Sequence, residues 1–94
     1  MVKYIDWDEL KNFKLKSDRS VSFEDVLTAI DNGGLLDDIN HPNQTHYPNQ
    51  KVLVVLIEEY VYLVPYVEDS VKIFLKTIYP SRKMTKKYFE ERSK

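Results

Sequence analysis

The chain contains no cysteine, so disulfide staples, thiolate metal sites, iron–sulfur clusters and a cysteine nucleophile are all excluded. Glycine occurs only twice and proline four times in 94 residues, too few for a collagen-like or low-complexity sequence. No stretch approaches the ~20 consecutive apolar residues of a membrane-spanning helix. The opening Met1-Val2-Lys3-Tyr4-Ile5-Asp6 is unlike a signal peptide, and a cytoplasmic protein is expected. Net charge is also scarce, at −1, which argues against indiscriminate adhesion to nucleic acid. Buriable material, in contrast, is plentiful: 43% of the residues are hydrophobic and 13% aromatic, enough to fold one domain spanning residues 1–94. Such a domain buries only ~60–65% of its unfolded surface, so a large internal cofactor cavity would compete with the core. No cofactor is expected, and a surface groove is the natural place for a ligand.

The small net charge conceals a separation along the chain. Residues 1–79 carry eight Lys or Arg against thirteen Asp or Glu, whereas residues 80–94 carry six bases against Glu90 and Glu91. The basic end is a local feature whose meaning depends on where the fold puts it.

An extended piece from Val2 to Ile5 is followed by Asp6, whose carboxylate can cap a helix while Glu9 reaches back from three residues on. Trp7, Leu10 and Phe13 then recur at helical spacing among Lys11, Lys14 and Lys16, which predicts a first helix over about 7–18. Ser22 repeats the capping logic, and Phe23, Val26, Leu27 and Ile30 predict a second helix that ends at Asn32-Gly33-Gly34. Trp7, Leu10, Phe23, Val26 and Ile30 are the expected core residues of this half. Residues Asp37 to Gln50, rich in turn formers, predict a long loop. Lys51 to Ile57 is a continuous aliphatic run that suits a central strand. Tyr60 to Val67 predicts a second strand, in which Pro65 marks a bulge or the strand's far end, and Val71 to Tyr79 alternate as a third. Pro80-Ser81 breaks that strand, and Thr85 to about Arg92 makes a last helix with Thr85 as its cap. The expected class is α+β, in the order β-α-α-β-β-β-α, with a small antiparallel sheet and helices packed on one side.

Two anchors carry a family resemblance. The first is Trp7-Asp8, with Lys11 four residues after the tryptophan, followed by Val21-Ser22-Phe23-Glu24. The second is Arg82-Lys83-Met84-Thr85-Lys86-Lys87 after the last strand. At matching spacing these resemble the W-D-x-x-K…V-S-F-E opening and the R-R-A-T-R-R segment of BrnT-type toxins, part of the RelE/ParE-like group found in type II toxin–antitoxin modules. The resemblance covers nearly the whole chain. It implies a RelE-like fold, endoribonuclease activity, an RNA substrate and a cognate antitoxin, with which the chain would form a toxin–antitoxin hetero-oligomer. The sequence departs from the family at Asp18-Arg19-Ser20, where Lys-His-Gly is frequent, and at Tyr88, where a glutamate commonly follows the basic segment.

Metal-independent RNA cleavage needs a base for the 2′-hydroxyl proton, cations for the phosphorane and an acid for the leaving 5′-oxygen. Arg82 can supply the cation, because its guanidinium fork matches two phosphate oxygens. Lys83, Lys86 and Lys87 add steering charge and are candidate proton carriers. Tyr79 and Tyr88 bracket the segment and can stack a base or donate a proton. His46 is the acid–base candidate by residue type. Lys11 is expected to reach the RNA groove, as the resemblance implies, or to snorkel beside Trp7. A place at the end of the third strand would aim these groups into a groove beside the long loop. His41 and His46 lack a further soft ligand, so no metal site is expected. A second reading is a catalytically inactive, toxin-like protein-binding module that presents Tyr60, Tyr62 and Tyr66 to a partner.

Overall fold

The computed structural model describes residues 3–92; Val2, expected in the first strand, and Lys94 of the basic end lie outside the described residues. The elements run β1 (Tyr4–Asp6), α1 (Glu9–Arg19), α2 (Phe23–Asp31), β2 (Leu35–Asn40), β3 (Lys51–Ile57), β4 (Tyr60–Glu68), β5 (Lys72–Leu75), β6 (Tyr79–Pro80) and α3 (Arg82–Arg92). The sheet order is β1-β5-β4-β3-β2, with β6 alongside β4. The result is an α+β fold with three helices and a six-stranded sheet among the described residues. The sheet is mixed rather than purely antiparallel, because β1 runs parallel to β5.

The α1 helix starts two residues later than its periodicity suggests. Asp8, not Asp6, caps it, accepting from the Leu10 N–H at 2.8 Å, while Asp6 accepts from the Trp7 N–H. The helix is also rotated from expectation. Asn12 and Leu15 face inward, whereas Leu10 is 81% and Phe13 73% exposed. The rotation has a polar cause: Asn12 Oδ1 accepts from the Phe23 N–H at 2.8 Å and its Nδ2 donates to Glu24 at 2.7 Å. One buried amide thus joins α1 to the first turn of α2, where helical N–H groups lack internal partners. In α2 the Ser22–Asp25 capping box forms as expected. Gly33 ends the helix at φ +84, and the Gly34 N–H donates to the Ala29 carbonyl at 2.7 Å, a Schellman arrangement.

β3 is central, between β2 and β4. The loop expected from residue 37 begins only at 41, because residues 35–40 form β2 and pair with β3 through a bulge at Leu36. The expected third strand divides into β5 and β6. Pro65 explains the break: its carbonyl accepts from the Lys76 N–H at 2.8 Å, but it has no donor to return, and the chain leaves the ladder there. Four residue steps separate Leu75 from Tyr79, against three between their partners Tyr66 and Leu63. The extra residue turns Ile78 into the core.

On one sheet face, Leu53, Val55, Tyr62, Val64 and Tyr66 pack with Leu15, Phe23 and Val26, and Trp7 stacks on Phe23 at 5.4 Å. Val52, Val54 and Val61 alternate to the other face and are buried too. Both faces of β3 are therefore covered, as its unbroken aliphatic run predicts, although the helices were expected on one side of the sheet. The α3 helix contacts β4, and its half-buried Met84, Thr85, Tyr88 and Phe89 form a single stripe.

Candidate functional site

The basic segment is built around the docking of α3 on the edge of β4. The Ser81 N–H donates to the Val61 carbonyl at 2.9 Å, and the Val61 N–H donates to Thr85 Oγ1 at 2.8 Å. Ser81 caps the helix, its Oγ accepting from the Met84 N–H at 3.1 Å. Thr85, expected as the cap, is instead a first-turn residue that ties helix to strand. Arg82 and Lys83 consequently stand inside the first turn, which contains no acid. Cations there add to the positive end of the helix dipole instead of offsetting it, concentrating positive potential around the free N–H groups.

Arg82, Lys83, Lys86 and Lys87 are exposed on the side opposite the half-buried stripe, whereas Arg92, also exposed, falls in line with Tyr88 on the stripe's own side. Lys86 lies 4.0 Å from Glu90. Tyr88 is half-buried, edge-on to Phe89 at 5.2 Å. The Arg92 guanidinium lies 5.6 Å from the centre of the Tyr88 ring, and its Nη1 donates to the phenol oxygen at 3.4 Å. Tyr79 pairs with Leu63 and is half-buried on the same sheet face as Val61.

His46 and Lys11 are not brought to this point. His46 is exposed in the loop between β2 and β3, where its N–H donates to Asn43 Oδ1 at 3.2 Å. That loop enters β3 at Lys51, whereas α3 docks beside the β3–β4 turn at the other end, and the seven residues of β3 span about 20 Å. Lys11 is exposed near the start of α1. The far end of α1 reaches the chain just before β6, where Arg19 Nη1 donates to the Ile78 carbonyl at 2.5 Å, about 12 Å along the helix axis from Lys11 at ~1.5 Å per residue. Sequence reading gave Arg19 no such role; its only signal was a basic residue in the last turn of a helix.

One groove among the described residues lies elsewhere. A cleft of about 510 Å³ lies between α2 and the β3–β4 turn, lined by Asp25, Asn32, Gly34, Glu58 and Glu59 among others, and none of the α3 cations lines it. The α3 cations were expected to aim into a groove beside the long loop; they stand instead at the other end of β3 from that loop, and the acidic cleft is separate from them.

Tyr66, counted among candidate partner-binding tyrosines, is buried, and its hydroxyl donates to Asp38 at 2.8 and 3.0 Å. Lys51 lies 3.6 Å from the same carboxylate. Burial, and then the bond to Asp38, hold the Tyr66 phenol well above its ordinary value. Tyr60 and Tyr62 are half-buried and edge-on at 5.7 Å. Among the described residues no group of three or more His, Cys, Asp or Glu gathers to hold a metal ion, and no helix is long and apolar enough to cross a membrane. Compared with known proteins, the chain matches no family model, no curated protein and no solved structure.

Proposed function

We propose that the chain is a RelE-like toxin domain of the BrnT type whose α3 binds RNA and takes part in its cleavage. The observation that carries this reading is the exposed cationic side of α3: Arg82, Lys83, Lys86 and Lys87 project from one side of a helix whose first turn holds Arg82 and Lys83, so side-chain and backbone charge reinforce each other there. The β-α-α opening, an antiparallel meander and a terminal helix are compatible with this reading, although five strands rather than three separate α2 from α3. A local detail agrees with it as well: Ser20, which stands where the family frequently has glycine, is left-handed at φ 56.

In this reading Arg82 grips the scissile phosphate and Lys83 and Lys86 hold its neighbours. Attack of the 2′-oxygen on phosphorus forms a 2′,3′-cyclic phosphate and breaks the bond to the 5′-oxygen. The 2′-hydroxyl proton leaves to a base and the 5′-oxygen gains one from an acid, roles for which Lys83 and Lys86 are the candidates on this surface, while Tyr88 lies in the half-buried stripe on the other side of the helix. His46 and Lys11 lie outside this surface, and Tyr79 packs below it. An antitoxin with an acidic segment would neutralise α3 by lying across it in a hetero-oligomer.

The test is incubation of the purified protein with single-stranded RNA beside Arg82→Ala. The expected result is a 2′,3′-cyclic phosphate product whose formation falls ~100-fold or more in the variant at unchanged melting temperature. The log–log salt slope of RNA binding should also shrink by ~0.7 for the removed cation. A wild-type protein that neither cuts nor binds RNA overturns the proposal. Binding without cutting leaves the second reading, a toxin-like module without catalysis, which the distance of His46 from α3 favours.

A further inference from the structure

The outward side of α1 is unlike that of any other helix here. At about 100° per residue, the side opposite buried Asn12 and Leu15 consists of Leu10, Phe13, Lys14 and Ser17. Large apolar side chains at 81% and 73% exposure, adjacent on one helix, form a patch rather than scattered surface residues. Each flank of this patch carries one acid and one base two turns apart, in opposite order on the two flanks. Glu9 and Lys16, two turns apart, bracket Phe13; Lys11 and Asp18, also two turns apart, bracket Lys14. Among the described residues, Lys11, Lys14 and Asp18 enter no ion pair, while Lys16 lies 3.9 Å from Glu24 and Glu9 accepts from Trp7 Nε1, so the Lys11–Asp18 flank is the one with both charges free.

We infer that α1 is a self-association surface, on which a second copy of the chain docks antiparallel across a two-fold axis. Such an axis sets each flank against the same flank of the other copy, reversed in direction. Glu9 then meets the second copy's Lys16, Lys11 meets its Asp18, and Phe13 meets Phe13 with Leu10 beside it. A parallel pairing would instead set Phe13 beside Lys14. The opposite charges thus match only under an operation that maps this helix onto itself, which is why a second copy fits better than an unrelated partner. Lys14 is the one residue that meets its own charge, and its long stem lets the ammonium turn toward Asp18 one turn along. The patch is smaller than the ~800 Å² per partner of a standard stable interface, so the dimer is weak, with a dissociation constant of roughly 10–1000 μM.

Sedimentation equilibrium of the full chain from about 5 μM to 1 mM tests this independently of any RNA activity. The wild type should pass from monomer to dimer across that range. Leu10→Asp and Phe13→Asp should stay monomeric with no loss of melting temperature, since both positions are exposed. Lys11→Asp should weaken the dimer about three- to tenfold, the double variant Lys11→Asp with Asp18→Lys should restore it, and Lys14→Met should tighten it. A monomer throughout the range, a dimer indifferent to Leu10 and Phe13, or a double charge swap no better than the single one would each overturn the inference. So would a patch that proves to matter only for binding a different protein.

Discussion

Asn12 shows how one polar side chain can decide the orientation of a helix. With its amide satisfied on both sides at 1% exposure, it competes successfully with Leu10 and Phe13 for the inward position, because an unpaired Phe23 N–H in the core is costlier than an exposed apolar side chain. Asn12→Leu removes both bonds and should lower unfolding free energy by ~1–3 kcal/mol in urea titration, despite its greater hydrophobicity. The same contact sets an acid limit. The Asn12 bond, foremost among several causes, holds the Glu24 carboxyl below its ordinary value of 4.5, with Lys16 3.9 Å away also contributing. As pH falls below that value, the unfolded chain takes up the proton first, so this contribution, complete above pH 4.5, is lost as pH drops through the folded-state value. Melting temperatures between pH 7 and pH 3 should fall less steeply in Asn12→Leu than in the wild type.

Among the elements, Gly34 holds the tightest junction. A Cβ placed there would stand 2.7 Å from the Leu56 carbonyl and 2.8 Å from that of Ala29, both backbone atoms that cannot swing aside. Gly34→Ala should therefore separate α2 from β3 and cost ~1–3 kcal/mol, measurable by thermal unfolding. The elements that depend on local chemistry were legible in the letters: Ser22 and Asp25 announce α2, Gly33 ends it, and the aliphatic run of Lys51 to Ile57 announces β3. β2 was not legible, because Asp37 and Asp38 are poor strand formers and Asp38 is accommodated only by Tyr66 and Lys51, far along the chain. The rotation of α1 was hidden for the same reason, since the partners of Asn12 belong to another helix. In the candidate site, the cationic run into α3 could be read directly. The approach of Arg19 to Ile78, the separation of His46 from Arg82 and the capping by Ser81 depend on how β6 docks on β4, which no local pattern encodes.

For the molecule as a whole, the sheet is braced across its width by Tyr66, which reaches from β4 over β3 to Asp38 on β2. Because burial and this bond raise the Tyr66 phenol above its ordinary 10.0, the unfolded chain loses that proton first as pH climbs past 10. Stability should then decline in alkali, and Tyr66→Phe should remove that decline while reducing amide-exchange protection along β2. At the opposite edge, β1 is guarded by charge: Lys3 pairs with Glu68 at 2.9 Å and Lys72 with Asp6 at 3.6 Å, which discourages further strands from adding there. β1 also differs from every other strand in where its partner comes from, since Tyr4 pairs with Lys72. During synthesis at ~5–20 residues per second, the first strand to leave the ribosome waits roughly 3–14 s for the segment that will receive it. Throughout that interval Tyr4 and Ile5 have no sheet to join. The outer rim of the fold is therefore synthesised well before the strand that receives it, and it is fastened only once β5 has emerged.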